Sequence, residues 1–198
     1  MRKSLTLLGA AVFALGIQGC ANTVKYGEAT RSETIKAEIG MSELQMATQR
    51  LVSRMLEYPS VEQRTSNKRP TVAIDPITNH THDAMDTAPL TASVFQELTN
   101  AGKFRFSSPE KVRASREQAS NLLDYGATTE KAAQKIGKQV DADMVVYGSL
   151  VDIIRIKPTH KEVYYRINLN LLDTSSGEVI WHDEHEILKS QRKAIYGI

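Results

Sequence analysis

Cysteine is almost absent from this chain of 198 residues, which has one, Cys20. A single thiol cannot close an internal disulfide, so the fold has no cross-link to rely on, and an exported protein needs another use for such a residue. Tryptophan also occurs once, phenylalanine four times, and no proline precedes Pro59. No apolar run reaches the roughly 20 residues that cross a hydrocarbon core. The longest, Leu5 to Ile17, is interrupted by Gly9 and Gly16. Charge of one sign is lacking too: 25 Lys and Arg stand against 23 Asp and Glu. No basic run with interleaved aromatics points to nucleic acid. There is no Gly-x-Ser-x-Gly elbow, phosphate loop or dinucleotide fingerprint, so hydrolase and nucleotide chemistry have no motif to rest on.

What is present begins at the first residues. Arg2 and Lys3, the apolar run to Ile17, and Ile17-Gln18-Gly19-Cys20 form the three-part layout of a secretory signal. The last four resemble the lipobox, whose cysteine receives diacylglycerol before cleavage in front of it. The expectation is a signal peptide over 1–19 and covalent diacylglycerol and N-acyl lipid on Cys20, with no other cofactor. The acyl chains would anchor the protein, each buried CH₂ contributing about 0.8 kcal/mol. Ala21 and Asn22 follow the cysteine in place of an aspartate. Resemblance to Gram-negative lipoproteins then implies the outer membrane, facing the periplasm. Losing Arg2 and Lys3 takes the basic count from 25 to 23, equal to the 23 acids, so the mature chain is formally neutral.

Residues 20–40 are polar and read as a flexible tether, which would span roughly 70 Å fully extended. Residues 41–198 are one domain's worth of chain. Ser42-Glu43-Leu44-Gln45 reads as a capping box opening a helix that carries Leu44, Ala47, Leu51 and Met55 and stops at Tyr58-Pro59. A polar link from Ser60 leads to a strand over Thr71–Ile77, then to a polar loop from Thr78 to Met85. Asp86 or Thr87 caps a second helix burying Leu90, Val94 and Leu98 and ending at Gly102. A short strand carries Phe104 and Phe106; helices follow from Pro109 and from Thr128. The period then changes. Met144–Ile156, Glu162–Leu172 and Glu178–Leu188 read as three strands joined by short turns, hence an antiparallel meander. Alternation of Arg166, Asn168 and Asn170 with apolar residues makes one face wet and the other helix-packed. The fold class expected is α+β in about two layers, a mostly antiparallel sheet with a C-terminal three-stranded meander packed by about four helices.

Several stretches together resemble the penicillin-binding-protein activator LpoB family and, more loosely, the N-terminal domain of TolB and the CsgG fold. They are Asn79-His80-Thr81 with Asp86-Thr87, Ala101-Gly102-Lys103-Phe104, Asp141-Ala142-Asp143-Met144-Val145-Val146-Tyr147-Gly148, Leu171-Leu172-Asp173-Thr174, and Gly177-Glu178-Val179-Ile180-Trp181. The resemblance covers about Met41 to Leu188. It implies an outer-membrane lipoprotein that stimulates a class A penicillin-binding protein, a peptidoglycan synthase, by binding its noncatalytic docking domain. Such an activator has no chemistry of its own and no small-molecule substrate. The docking surface it implies maps onto Asp75, Asn79, His80, Thr81 and Tyr147. Members often carry a long proline-rich tether, which this chain lacks. The alternative is an envelope assembly or secretion lipoprotein of the CsgG or TolB type, which would need a lipid-facing hairpin.

His80, His82, Asp83 and Asp86 are the one dense group of potential metal ligands. A zinc or copper site needs three or four converging ligands with further support. The expectation is instead a solvated loop with Asp86 as a helix cap. His182, Asp183, Glu184, His185 and Glu186 fall on a strand, whose alternation divides them between two faces.

Overall fold

A computed structural model describes residues 39–124 and 128–192. The signal segment, Cys20, nearly all of the tether and the last six residues lie outside them. Among the described residues no helix is long and apolar enough to cross a membrane.

The order of elements is α1 (Met41–Leu56), α2 (Pro59–Ser66), β1 (Thr71–Ile74), β2 (Thr78–His80), α3 (Ala88–Ala101), β3 (Arg105–Phe106), α4 (Pro109–Asp124), α5 (Thr129–Gln139), β4 (Met144–Ile156), β5 (His160–Asp173) and β6 (Val179–Arg192). The sheet runs β3-β1-β4-β5-β6, with β2 also paired to β4. β1 and β2 lie parallel to β4, with Val72 opposite Met144 and Thr78 opposite Ser149. β4 to β5 and β5 to β6 are long antiparallel ladders, the expected meander. The sheet is therefore mixed but mostly antiparallel, and among the described residues five helices pack on it where about four were expected.

The extra helix is α2, which stands where a polar link was expected. Pro59 ends α1 but then opens α2 from its first turn, where a missing N–H costs nothing. Val61 alone is buried on it, and one apolar residue makes no period. The start of α1 also differs. Gly40, not Ser42, is the N-cap, and the Glu43 carboxylate accepts from the Gly40 N–H at 3.2 Å. An acid in the first turn faces the positive end of the helix dipole, so Glu43 serves this role better than Gln45. Burial pushes the Glu43 carboxyl up, but the Lys189 ammonium and the Gly40 amide together hold it below the ordinary carboxylate range. Packing reaches back into the stretch read as tether: Ile39 belongs to the core.

Two cores lie on opposite faces of the sheet. Even-numbered positions of β4 and odd-numbered ones of β5, among them Val146, Leu150, Tyr165, Ile167 and Leu169, pack with Leu44, Leu51 and Met55 of α1 and Leu90, Val94 and Leu98 of α3. On the other face Ala73, Val145, Tyr147 and Leu172 meet Val112 and Ala119 of α4 and Ala132, Ala133 and Ile136 of α5. At that end the domain has three layers, not two. The reason is visible along β4: its odd positions are apolar at Val145 and Tyr147, then pass to Ser149, and the helix cover stops there. Beyond it, no described helix covers the second face of β4–β6.

Candidate partner-binding surface

Where the helix cover of the second face ends, the chain from Asp75 to Thr87 runs along the rim of the sheet. Asp75 directly follows β1 and is 9% exposed. Its carboxylate accepts from Arg116 Nη1 of α4 at 2.5 Å, and the same guanidinium donates to Pro76 O at 2.8 Å and Thr78 Oγ1 at 2.7 Å. Burial raises the Asp75 carboxyl above its ordinary value, against the opposing pull of the Arg116 charge and hydrogen bond. One side chain thus ties β1, the Pro76 corner and β2 to α4. Arg116 was not singled out from the sequence, although a signal existed: it follows Val112 by one turn, a charge on the apolar stripe of its helix.

Asn79 faces the other way. Its Nδ2 donates to Asp83 O at 2.9 Å and Met85 O at 3.1 Å, and its Oδ1 accepts from Thr81 N at 2.9 Å and Thr81 Oγ1 at 2.8 Å. Asp83 O lies 2.9 Å from the same Thr81 hydroxyl, so its one proton is shared between the two acceptors. Asn79 and Thr81 therefore shape the loop that they sit on. Asp152 of β4 holds its crest, accepting from His82 N at 3.1 Å with His82 Nδ1 2.7 Å away. At the far end Asp86 Oδ1 accepts from Ala88 N at 2.9 Å, which opens α3, and the Thr87 hydroxyl donates to Ile77 O at 2.5 Å.

His80 is exposed at the end of β2, opposite Val151. Its register puts it on the open face with Thr78, whereas His82 turns toward Asp152 on the other side. Among the described residues no three His, Cys, Asp or Glu gather as metal ligands. Asp75, Asn79, His80 and Thr81 thus share one loop and strand end; of the four, His80 is exposed, Asn79 and Thr81 are half-buried and Asp75 is buried. Tyr147 is 4% exposed, and its ring lies in the second core. Its hydroxyl is buried without a hydrogen-bond partner; burial, then the Glu130 charge, push the phenol far up. Tyr147→Phe removes that unsatisfied group, so folding stability is expected to hold or rise by about 1 kcal/mol. Thermal denaturation checks this; a loss above about 1 kcal/mol would show that the hydroxyl has a partner such as a bound water.

The open face next to this loop is made of cross-strand rows: Ser149, Asn168 and Glu184; Val151, Arg166 and Glu186; Ile153, Tyr164 and Leu188. Asn168 Nδ2 donates to Ser149 Oγ at 2.8 Å and Arg166 Nη2 to Glu186 Oε2 at 3.1 Å. Ion pairs across exposed strands contribute little each, but they fix the side chains a partner would meet. On the β1–β3 side of the sheet, beside Pro76 and Ala88, a cleft of about 570 Å³ opens between α3 and α4, lined also by Ile74, Phe95, Phe106 and Val112.

Fold and surface together define a small α+β domain with a long antiparallel meander and a stiffened polar loop beside a bare sheet face. The chain belongs to the peptidoglycan-synthase activator LpoB family, whose model matches residues 43–187. A penicillin-binding protein activator LpoB of Erwinia amylovora (strain CFBP1430) is 24% identical over 131 residues, covering 66% of this chain and 60% of the relative. One of Yersinia pestis (strain D182038) is 26% identical over 108 residues, 54% and 52% of the two chains. The chain thus spans between about half and three fifths of the curated relatives it matches. Among solved structures, the LpoB C-terminal domain from Salmonella enterica matches with a TM-score of 0.53 and 22% identity over 73% of this chain and 98% of that one. The NMR structure of Escherichia coli LpoB gives 0.53 and 19% over 96% and 88%. The expected family and α+β class therefore hold.

Proposed function

We propose that this protein is an outer-membrane lipoprotein, anchored through acyl chains on Cys20, that activates a class A penicillin-binding protein by binding its noncatalytic docking domain. The observation that carries the reading is the extent of the family match, which runs from the first turn of α1 into β6 and takes in every element between them. The loop from Asp75 to Thr81 is the proposed docking element. Asn79 and Thr81 set its shape through the bonds above, Asp75 fixes its base through Arg116, and His80 presents an exposed ring. Tyr147 supports the strand beneath from within the core. The protein itself catalyses nothing in this scheme; it acts by favouring an active conformation of the synthase.

The test adds the chain lacking residues 1–20 to purified class A synthases from the same cell. Glycosyltransferase and transpeptidase rates are expected to rise several-fold with at least one of them, and His80→Ala is expected to weaken that binding with an unchanged melting temperature. Failure to bind or stimulate any of these synthases would overturn the proposal. The anchor is tested separately: in cells fed labelled palmitate, the full-length protein is expected to carry label and Cys20→Ser to carry none. Label retained by that variant would place the lipid elsewhere.

A further inference from the structure

Among the described residues β6 has a neighbour on one side alone, β5. It is 14 residues long. A long bare edge is a template for further pairing, which proteins normally block. Here the block is local. In an antiparallel ladder alternate residues point their N–H and C=O away from the partner strand, and Glu184 is one of these. Its carbonyl accepts from Arg54 Nη2 at 3.5 Å, and its N–H donates to Asp183 Oδ1 at 2.8 Å. Arg54 Nε lies 2.9 Å from Asp183 Oδ2, which closes the plug. By the same alternation Glu186, Leu188 and Ser190 also point outward, and no such plug stands over them among the described residues. Leu188 is 52% exposed, an aliphatic side chain in the middle of the unblocked stretch. Glu186 is drawn along its own sheet to Arg166 and so does not obstruct the edge.

We propose that Glu186–Ser190 pairs antiparallel with the same stretch of a second copy of this chain. The argument for a copy over another strand is self-complementarity. With Leu188 opposite its own counterpart, Glu186 faces Ser190 and Ile187 faces Lys189, so no like charges meet and the exposed leucines cover each other. Moving the two-fold onto Glu186 sets acid against acid, and moving it onto Lys189 sets base against base. Moving it onto Ile187 puts Glu186 against Leu188 and His185 against Lys189. Only the leucine-centred register joins apolar to apolar on the open face. The contact is isologous, as a two-fold dimer requires. The open faces of both meanders would continue across it as one surface. An interface of so few residues falls among weak ones, under about 1,200 Å², so dimers are expected only at high protein concentration.

Sedimentation of the full chain over a wide concentration range tests this. A reversible monomer–dimer equilibrium is expected, and Leu188→Pro is expected to abolish it. Proline is tolerated at an edge position whose N–H faces outward, so the circular dichroism spectrum should not change. If that variant fails to fold, Leu188→Lys gives a second arm: it keeps the ladder but sets two cations face to face, and it too should sediment as a monomer. A wild-type chain that stays monomeric throughout, or a dimer that survives the folded variants, overturns the proposal.

Discussion

Gly148→Ala is expected to lower folding stability by about 3 kcal/mol, the upper end for an added methyl in a packed interior. A Cβ at this position would lie 2.2 Å from the Asn168 carbonyl oxygen and 2.8 Å from Leu169 Cδ2. The nearer atom is backbone, so no rotamer change relieves the clash. Asn168 belongs to β5, which is held between β4 and β6, so the strand cannot retreat without opening a ladder. Against this stands the entropy glycine loses on folding, worth about 0.5–1 kcal/mol in favour of alanine. The clash is the larger effect. Chemical denaturation should show a lower midpoint at unchanged slope. A variant within about 0.5 kcal/mol of the parent would mean that β4 and β5 separate locally at little cost.

Gly148 is among the residues that carried the family resemblance, yet its reason was not readable there, because the atom that excludes a side chain lies on another strand. The same division runs through the molecule. Elements that bury a periodic face were legible: β4 begins at Met144 and ends at Ile156 as expected, Thr128 caps α5, and Gly102 closes α3 at φ 66°. Elements defined by a distant partner were not. β2 is three polar residues that become a strand only because Ser149 to Val151 lie beside them. α2 rests on Val61 alone. Of the candidate site residues, Asn79 and Thr81 carried a local signal, since their bonds reach only a few positions along the chain. The pairing of Asp75 with Arg116 spans 41 positions, and nothing in the spacing joins them. Tyr147 was placed on a docking surface by resemblance, whereas its ring is inside the second core.

That long-range pair gives the other large expected effect. Arg116→Ala leaves Asp75 buried without its counter-charge and strips donors from Pro76 O and Thr78 Oγ1. Breaking a fully buried pair costs about 3–5 kcal/mol. Because the Arg116 side chain is 32% exposed, water screens part of this, and about 2–3 kcal/mol is expected at neutral pH. The pH dependence has a definite sign. Burial already raises the Asp75 carboxyl in the folded protein, and Arg116 opposes that rise. Without the arginine the folded value moves further above the unfolded one. A carboxyl raised on folding binds its proton more tightly in the native state, so stability falls as pH climbs above the unfolded value. The deficit of the variant should therefore be small near pH 4 and full at pH 7. Adding Asp75→Asn should recover much of it at pH 7 and little at pH 4. A deficit of equal size at both pH values would assign the loss to the bonds with Pro76 and Thr78, and to the packing of the arginine stem, not to the stranded charge. Either way the base of the loop comes loose. If the loop docks a synthase as proposed, binding by Arg116→Ala should fall even at temperatures where the variant is fully folded, since His80 can be presented in one orientation only while β2 is pinned to α4.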